Sequence, residues 1–194
     1  MFDQSRDPGV ILGIDPGLSR CGYGAVRREG QRMVPVAFGV LRTPPDAPLP
    51  ERLAQLQADL DALFDDLMPA GVAVERILFQ VNARTAITVG QASGLALAAA
   101  ARRGIPVVHY SPNEVKLAVT GYGGAGKEQV QAMVARLCNL ASPPRPPDAA
   151  DALALALCHL WAAPLRDTDR SGAATAAAGL QQAVAAALAK ERAR

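Results

Sequence analysis

The sequence predicts an α/β fold, a five-stranded mixed sheet flanked by helices, and two observations carry the prediction. Three short apolar runs follow one another at hairpin spacing near the start of the chain, which calls for antiparallel neighbours. Strand and helix patterns then alternate, which calls for crossover connections. Half of the 194 residues are hydrophobic, enough for one full core.

Residues 9–15, GVILGID, form a buried-strand pattern that ends in a Pro-Gly turn. Residues 22–28 and 33–41 supply the next two strands. Over 50–67, Leu53, Leu56, Leu60, Leu63 and Leu67 share one helical stripe. VAVERILF, 72–79, is the fourth strand. Alternation puts Ala73, Glu75, Ile77 and Phe79 on one face, and Val72, Val74, Arg76 and Leu78 on the other. Both faces are largely apolar, as in an interior strand, with Glu75 near its middle. A small-residue helix over 83–103 precedes IPVVHY, the fifth strand.

Ser111-Pro112-Asn113-Glu114 is a helix start: serine caps, proline takes the first turn, and glutamate closes a capping box. The glycine-rich loop 121–126 separates this helix from one at 127–138. PPRPP breaks the chain before a last core helix over 147–162. The expected organisation is an N-terminal extension over 1–8, one domain over 9–163, and an alanine-rich tail over 164–194. The tail has helical propensity but no core stripe, so it is read as separate.

Composition narrows the function. No apolar run is long and charge-free enough for a membrane helix, and MFDQSRDPGV has no signal-peptide pattern. Cys21, Cys138 and Cys158 are odd in number and form no CxxC pair, which reads as reduced core thiols of a cytoplasmic protein. The net charge is only +2. Arg102, Arg103, Lys116, Lys127, Arg136 and Arg145 outnumber Glu114 and Glu128 in their stretch. A polyanion suits that surplus, and so does an ordinary solvated face. His109 and His159 are expected to be structural.

Four carboxylates stand out. Asp15 ends the first strand, where a turn aspartate is common. Glu75 lies on an apolar strand, where a carboxylate is costly unless paired or metal-bound. Asp148 and Asp151 are three apart at the start of the last helix and share a face. The helix dipole favours either one, but it does not account for two on one face with no nearby cation in sequence. One divalent-ion site built from all four accounts for the whole set, since hard cations take oxygen ligands. Two such ions can drive phosphodiester hydrolysis.

The stretches GIDPGLSRCGYGAV, the glutamate of VERILF, NARTAITVGQASG, YSPNEVKLAVTGYGGAGKEQV and PPDAADALALAL occur in an order and spacing that resembles the RuvC family of Holliday-junction resolvases. The likeness runs from residue 9 to about 162. It implies an RNase H-like fold and a homodimer that cuts opposed strands of a four-way DNA junction symmetrically, with two Mg²⁺ or Mn²⁺ ions per site. It implies Asp15, Glu75, Asp148 and Asp151 as metal-binding catalytic residues, with Lys116 and Lys127 beside the scissile strand. It further implies a dimer helix beginning near Asn82, with Ala86, Gly90 and Gly94 on it, a bacterial cytoplasmic location, and a RuvA/RuvB branch-migration motor as partner.

Many members have a phenylalanine three residues after the catalytic glutamate; here that position is Leu78, and Phe79 follows. Either side chain could be the wedge between junction bases. For Phe79 the strand must end or bend near Ile77. Arg76 stands where glutamine is frequent and, with Arg84, is an expected DNA contact.

Two rivals remain at this stage. An actin-like ATPase or sugar kinase opens with a similar G-x-D-x-G strand, but needs a duplicated second half that 194 residues do not hold. A non-catalytic junction binder would be hindered by four unneutralised acids.

Overall fold

The computed structural model describes the backbone of residues 9–76 and 83–162, and all of their side chains except those of 83–85. The expected extension 1–8, residues 77–82 and the expected tail lie outside the described residues. The chain divides into compact units Met1–Leu160 and Trp161–Arg194; the fold below is that of the first.

Strands β1 (Val10–Asp15), β2 (Arg20–Glu29) and β3 (Arg32–Arg42) form the antiparallel part of the sheet. Helix α1 (Leu49–Leu67) crosses back to β4 (Gly71–Glu75), which pairs in parallel with β1. Helix α2 (Ala83–Arg102) leads to β5 (Val107–Tyr110), parallel to β4. The sheet order is β3-β2-β1-β4-β5, so β4 is interior, as its apolar faces required. Helices α3 (Pro112–Thr120) and α4 (Lys127–Leu137) follow, then α5, residues 147–162. The five-stranded mixed sheet flanked by helices is the fold read from the sequence.

The fourth strand ends at Glu75, with Arg76 outside it; residues 77–79 of its apolar pattern lie outside the described residues. Its neighbours end at the same level. β1 stops at Asp15 and β5 at Tyr110, which pairs with Glu75. The Arg76 amide donates to Tyr110 O at 2.7 Å. Glu75 therefore stands at the strand's carboxyl end, not in its middle.

Leu12, Ile14, Val72 and Val74 point to one face of the sheet, where they pack with Leu56, Leu60 and Phe64 of α1 and with Ala92, Ala96, Ala99 and Ala100 of α2. Phe64 joins the predicted leucine stripe. Arg103 clamps the two helices: it binds Asp61 at 2.8 Å and Asp65 at 2.7 Å and lies over the Phe64 ring. Arg102 also binds Asp61, at 2.7 Å. These two arginines of the basic stretch are thus engaged within the chain.

The opposite face of the sheet carries α5, and glycines set how closely it lies. A Cβ added to Gly13 would fall 2.8 Å from Ala156 N, and one on Gly24 would fall 2.5 Å from Leu153 N. One on Gly22 would fall 2.8 Å from the carbonyl carbon of Asp148. Main chain lies on main chain here, which only glycine permits. The buried alanines Ala149, Ala152 and Ala156 keep the helix side of the contact thin.

Ser111 caps α3 as the sequence predicted: its hydroxyl accepts from Glu114 N, and Ser111 N donates to the Glu114 carboxylate at 2.7 Å. Tyr110 Oη meets His159 Nδ1 at 3.0 Å, tying β5 to α5 and giving His159 a structural place. Cys21, Cys138 and Cys158 are buried and in no disulfide; burial pushes the Cys21 thiol up to about 12.

Candidate active site

β1 and β4 run parallel with Ile14 beside Val74, so Asp15 and Glu75 leave the same edge of the sheet as neighbours. The carboxyl edge of parallel strands is where open α/β sheets build their sites. Gly13 faces α5, and alternation sends Asp15, two residues on, to that face as well. The first turn of α5 lies over Gly22, the β2 partner of Asp15. That contact carries Asp148 and, one turn on, Asp151 toward the two strand carboxylates. Three segments separated by 60 residues or more thus converge.

A cavity of about 440 Å³ opens at this point, lined by Asp15, Glu75, Asp151, Lys116 and Lys127. Val115, Val130 and Leu155 form its apolar wall. Lys127 Nζ binds Asp151 Oδ2 at 2.7 Å. Asp148 pairs instead with Arg20, at the start of β2. As they stand, the described acidic, histidine and cysteine side chains include no cluster of three drawn tightly enough to hold an ion. Two of the four carboxylates are turned to these cations.

The electrostatics nevertheless mark excess negative charge. Burial, then Glu75, Asp151 and Asp148, push the Asp15 carboxyl up to about 7, with Lys127 opposing. Glu75 is raised by burial first and by Asp151 second. Lys127 is held above its ordinary value, chiefly by its hydrogen bond to Asp151. An all-oxygen donor set with such crowded negative charge fits a divalent cation.

The Asp15 shift has a consequence for stability in EDTA. Its folded value of about 7 exceeds the unfolded 3.8, so the folded state holds more protons between them. Asp15 should therefore cost stability progressively as pH rises from about 4 through 7, by a few kcal/mol at most. Thermal melts from pH 4 to 8 should show a steeper decline in wild type than in Asp15→Asn; parallel curves would refute the shift.

Of the other expected residues, Arg76 is exposed just past β4. Leu78, Phe79 and Asn82 lie outside the described residues, as does the side chain of Arg84. Ala86 and Gly90 are partly exposed and Gly94 is exposed on α2. Sequence reasoning missed Arg20. Its signal was its place, five residues after Asp15 across a tight turn, where an antiparallel return brings it back to the site.

The family description "Crossover junction endodeoxyribonuclease RuvC" matches residues 11–159. A protein of that name from Leifsonia xyli is 52% identical over 86% of this chain and 81% of its own. One from Salinispora arenicola is 56% identical over 78% of this chain and 87% of its own. The solved structure of Thermus thermophilus RuvC in complex with a Holliday junction substrate superposes with a TM-score of 0.76 at 37% identity, over 81% of this chain and 96% of that one. The sheet and its helices are accordingly the RNase H-like arrangement. With the matched segment reaching all five strands of the sheet and the acidic edge, this chain belongs to the RuvC family of crossover junction endodeoxyribonucleases.

Proposed function

We propose that this protein resolves four-way DNA junctions by paired, symmetric phosphodiester hydrolysis in recombination and repair. The observation that carries the proposal is the convergence of Asp15, Glu75, Asp148 and Asp151 at one sheet edge, beside a cavity that Lys116 and Lys127 also line. Nucleases of this family depend on divalent metal. The four carboxylates would hold it, and Mg²⁺ or Mn²⁺, two per site, would supply an activated water and stabilise the leaving oxygen.

The chain's own part is positional. Asp15 and Glu75 are fixed by the ends of paired strands, and Asp148 and Asp151 by a helix seated on glycines. Lys116 and Lys127 place positive charge where a backbone phosphate would enter. The α4 amino terminus, where Gly126 caps without a side-chain bond, presents main-chain amides beside Lys127. The apolar wall limits water around the reacting phosphate.

Lys116→Ala and Lys127→Ala should each lower single-turnover cleavage by about thirtyfold, roughly 2 kcal/mol. Junction affinity should change less, because one phosphate contact is a small part of such an interface. Lost binding with intact cutting at saturation would refute the assignment.

Two symmetric cuts need two sites, which calls for a homodimer. The outward side of α2 suits close helix packing: Ile87 is 62% exposed, and a Cβ added at Gly90 or Gly94 would meet nothing within 4 Å. Gly94→Glu should shift the sedimenting species from dimer to monomer and remove paired cutting. A wild-type monomer with paired cutting would end this reading.

The base wedge falls to Leu78 or Phe79. β4 ends at Glu75, and a bend of the chain near Ile77 would bring Phe79 to the junction. Arg76 and Arg84 would contact the DNA backbone. Location in the bacterial cytoplasm and a RuvA/RuvB motor complete the proposal. A synthetic junction incubated with Mg²⁺, beside a linear duplex of the same sequence, tests the activity. Paired nicks in the junction and an intact duplex are expected; nicking of both alike would overturn junction selectivity.

A further inference from the structure

The loop between α3 and α4 carries one aromatic side chain on a run of glycines, GYGGAG, 121–126. Tyr122 is 64% exposed, and Leu117, on the preceding turn of α3, is 56% exposed. A single exposed apolar residue needs no explanation. This pair, however, stands on the segment that joins two cavity-lining lysines. Lys116 precedes Leu117 on α3, and Lys127 opens α4 five residues after Tyr122.

The loop is ordered by its own bonds. Gly121, with φ +75°, donates to Leu117 O at 2.8 Å and closes α3. Tyr122 N donates to Thr120 Oγ1 at 3.2 Å, and Tyr122 O accepts from Thr120 Oγ1 at 3.0 Å and from Ala125 N at 3.1 Å. The hydroxyl end of the ring lies against Gly124. A Cβ on Gly124 would fall 2.6 Å from Tyr122 Oη and 2.9 Å from Cε1. Around it the surface is bare: a Cβ on Gly121 or Gly126 would meet nothing within 4 Å, and one on Gly123 only Asn113 O at 3.7 Å.

An exposed aromatic ring stands on the segment that joins two cavity-lining lysines, between glycines that put no side chains in the way of approach. Those are the parts of a single-strand stacking platform: cations for the backbone, a π-face for the base. Pre-ordering of the loop lowers the entropy cost of using the ring. We propose that Tyr122 stacks on a nucleobase flanking the phosphate held by Lys116 and Lys127, and so positions the strand to be cut. The assignment rests on the junction-nuclease reading above. It makes Tyr122 a substrate contact, indifferent to base identity because every base has a π-face.

The test compares wild type, Tyr122→Phe and Tyr122→Ala on a synthetic four-way junction. 2-Aminopurine is placed in turn on either side of the cut phosphate. Tyr122→Ala should lower cleavage at sub-saturating protein about five- to hundredfold, the cost of one lost base stack. Tyr122→Phe, which keeps the π-face, should stay within about twofold of wild type. Fluorescence at one flanking position should be quenched by wild type and Tyr122→Phe, and less by Tyr122→Ala. Thermal melts should be alike, because the ring is mostly in solvent. Equal cutting by wild type and Tyr122→Ala, or aminopurine signals that do not distinguish them, would overturn the stacking role alone. Failure of wild type to nick the junction would overturn the nuclease reading itself.

Discussion

Asp148→Asn and Asp151→Asn should each slow single-turnover junction cleavage at least about a thousandfold at saturating Mg²⁺, roughly 4 kcal/mol of barrier. Each change keeps side-chain shape and removes one anionic oxygen donor. Stability in EDTA should move little. The pairs given up, Arg20 with Asp148 and Lys127 with Asp151, are partly exposed; such pairs contribute about 0–1 kcal/mol. Against that loss, Asp15 is relieved of one like charge. Junction affinity without metal should hold or rise, since a carboxylate repels phosphate and the released Arg20 or Lys127 attracts it. If the two aspartates served only the helix dipole, the pattern would reverse: about 0.3–1 kcal/mol of stability lost per charge, with cleavage nearly unchanged. Cleavage rates together with melts in EDTA separate these cases. An Asp148→Asn enzyme that cuts normally and melts earlier would return the pair to helix capping.

That prediction was available from the sequence because its terms are local. Asp148 and Asp151 share a helix face by spacing alone, and Ser111 with Glu114 is a complete cap within four residues. The three leading strands were legible for the same reason, since hairpin neighbours lie close in sequence. What was not legible depends on partners far along the chain. Arg20 and Asp148 are 128 residues apart, and no pattern within the last helix announces that its acid has a cation. Glu75 looks central to its strand by composition, yet it is the last residue of β4, level with the ends of β1 and β5. The basic stretch was misleading in the same way: Arg102 and Arg103 answer Asp61 and Asp65 on α1, more than 30 residues earlier.

The glycines of the first hairpin are the most consequential part of the site that spacing did not reveal, and Gly13→Ala should expose this. The added Cβ would lie 2.8 Å from Ala156 N, with Ala152 O closer still. These atoms belong to a helix main chain and cannot rotate away as a side chain would. α5 must lift, on the order of 1 Å, or β1 must bend. Overpacking of this kind costs about 1–3 kcal/mol, and a rigid backbone neighbour puts the change at or above the upper end. Cleavage should suffer separately, because α5 carries Asp148 and Asp151 while β1 carries Asp15. A displacement of about 1 Å between catalytic groups can cost about a hundredfold in rate. Urea unfolding and single-turnover cutting at low temperature, where the variant remains folded, measure the two effects apart. Trimming Ala152 or Ala156 to glycine should rescue neither, because the clash is with main-chain atoms. Rescue by either, or a Gly13→Ala protein with wild-type stability and cutting, would mean that α5 does not rest on the sheet at Gly13 and that the acidic edge is assembled another way.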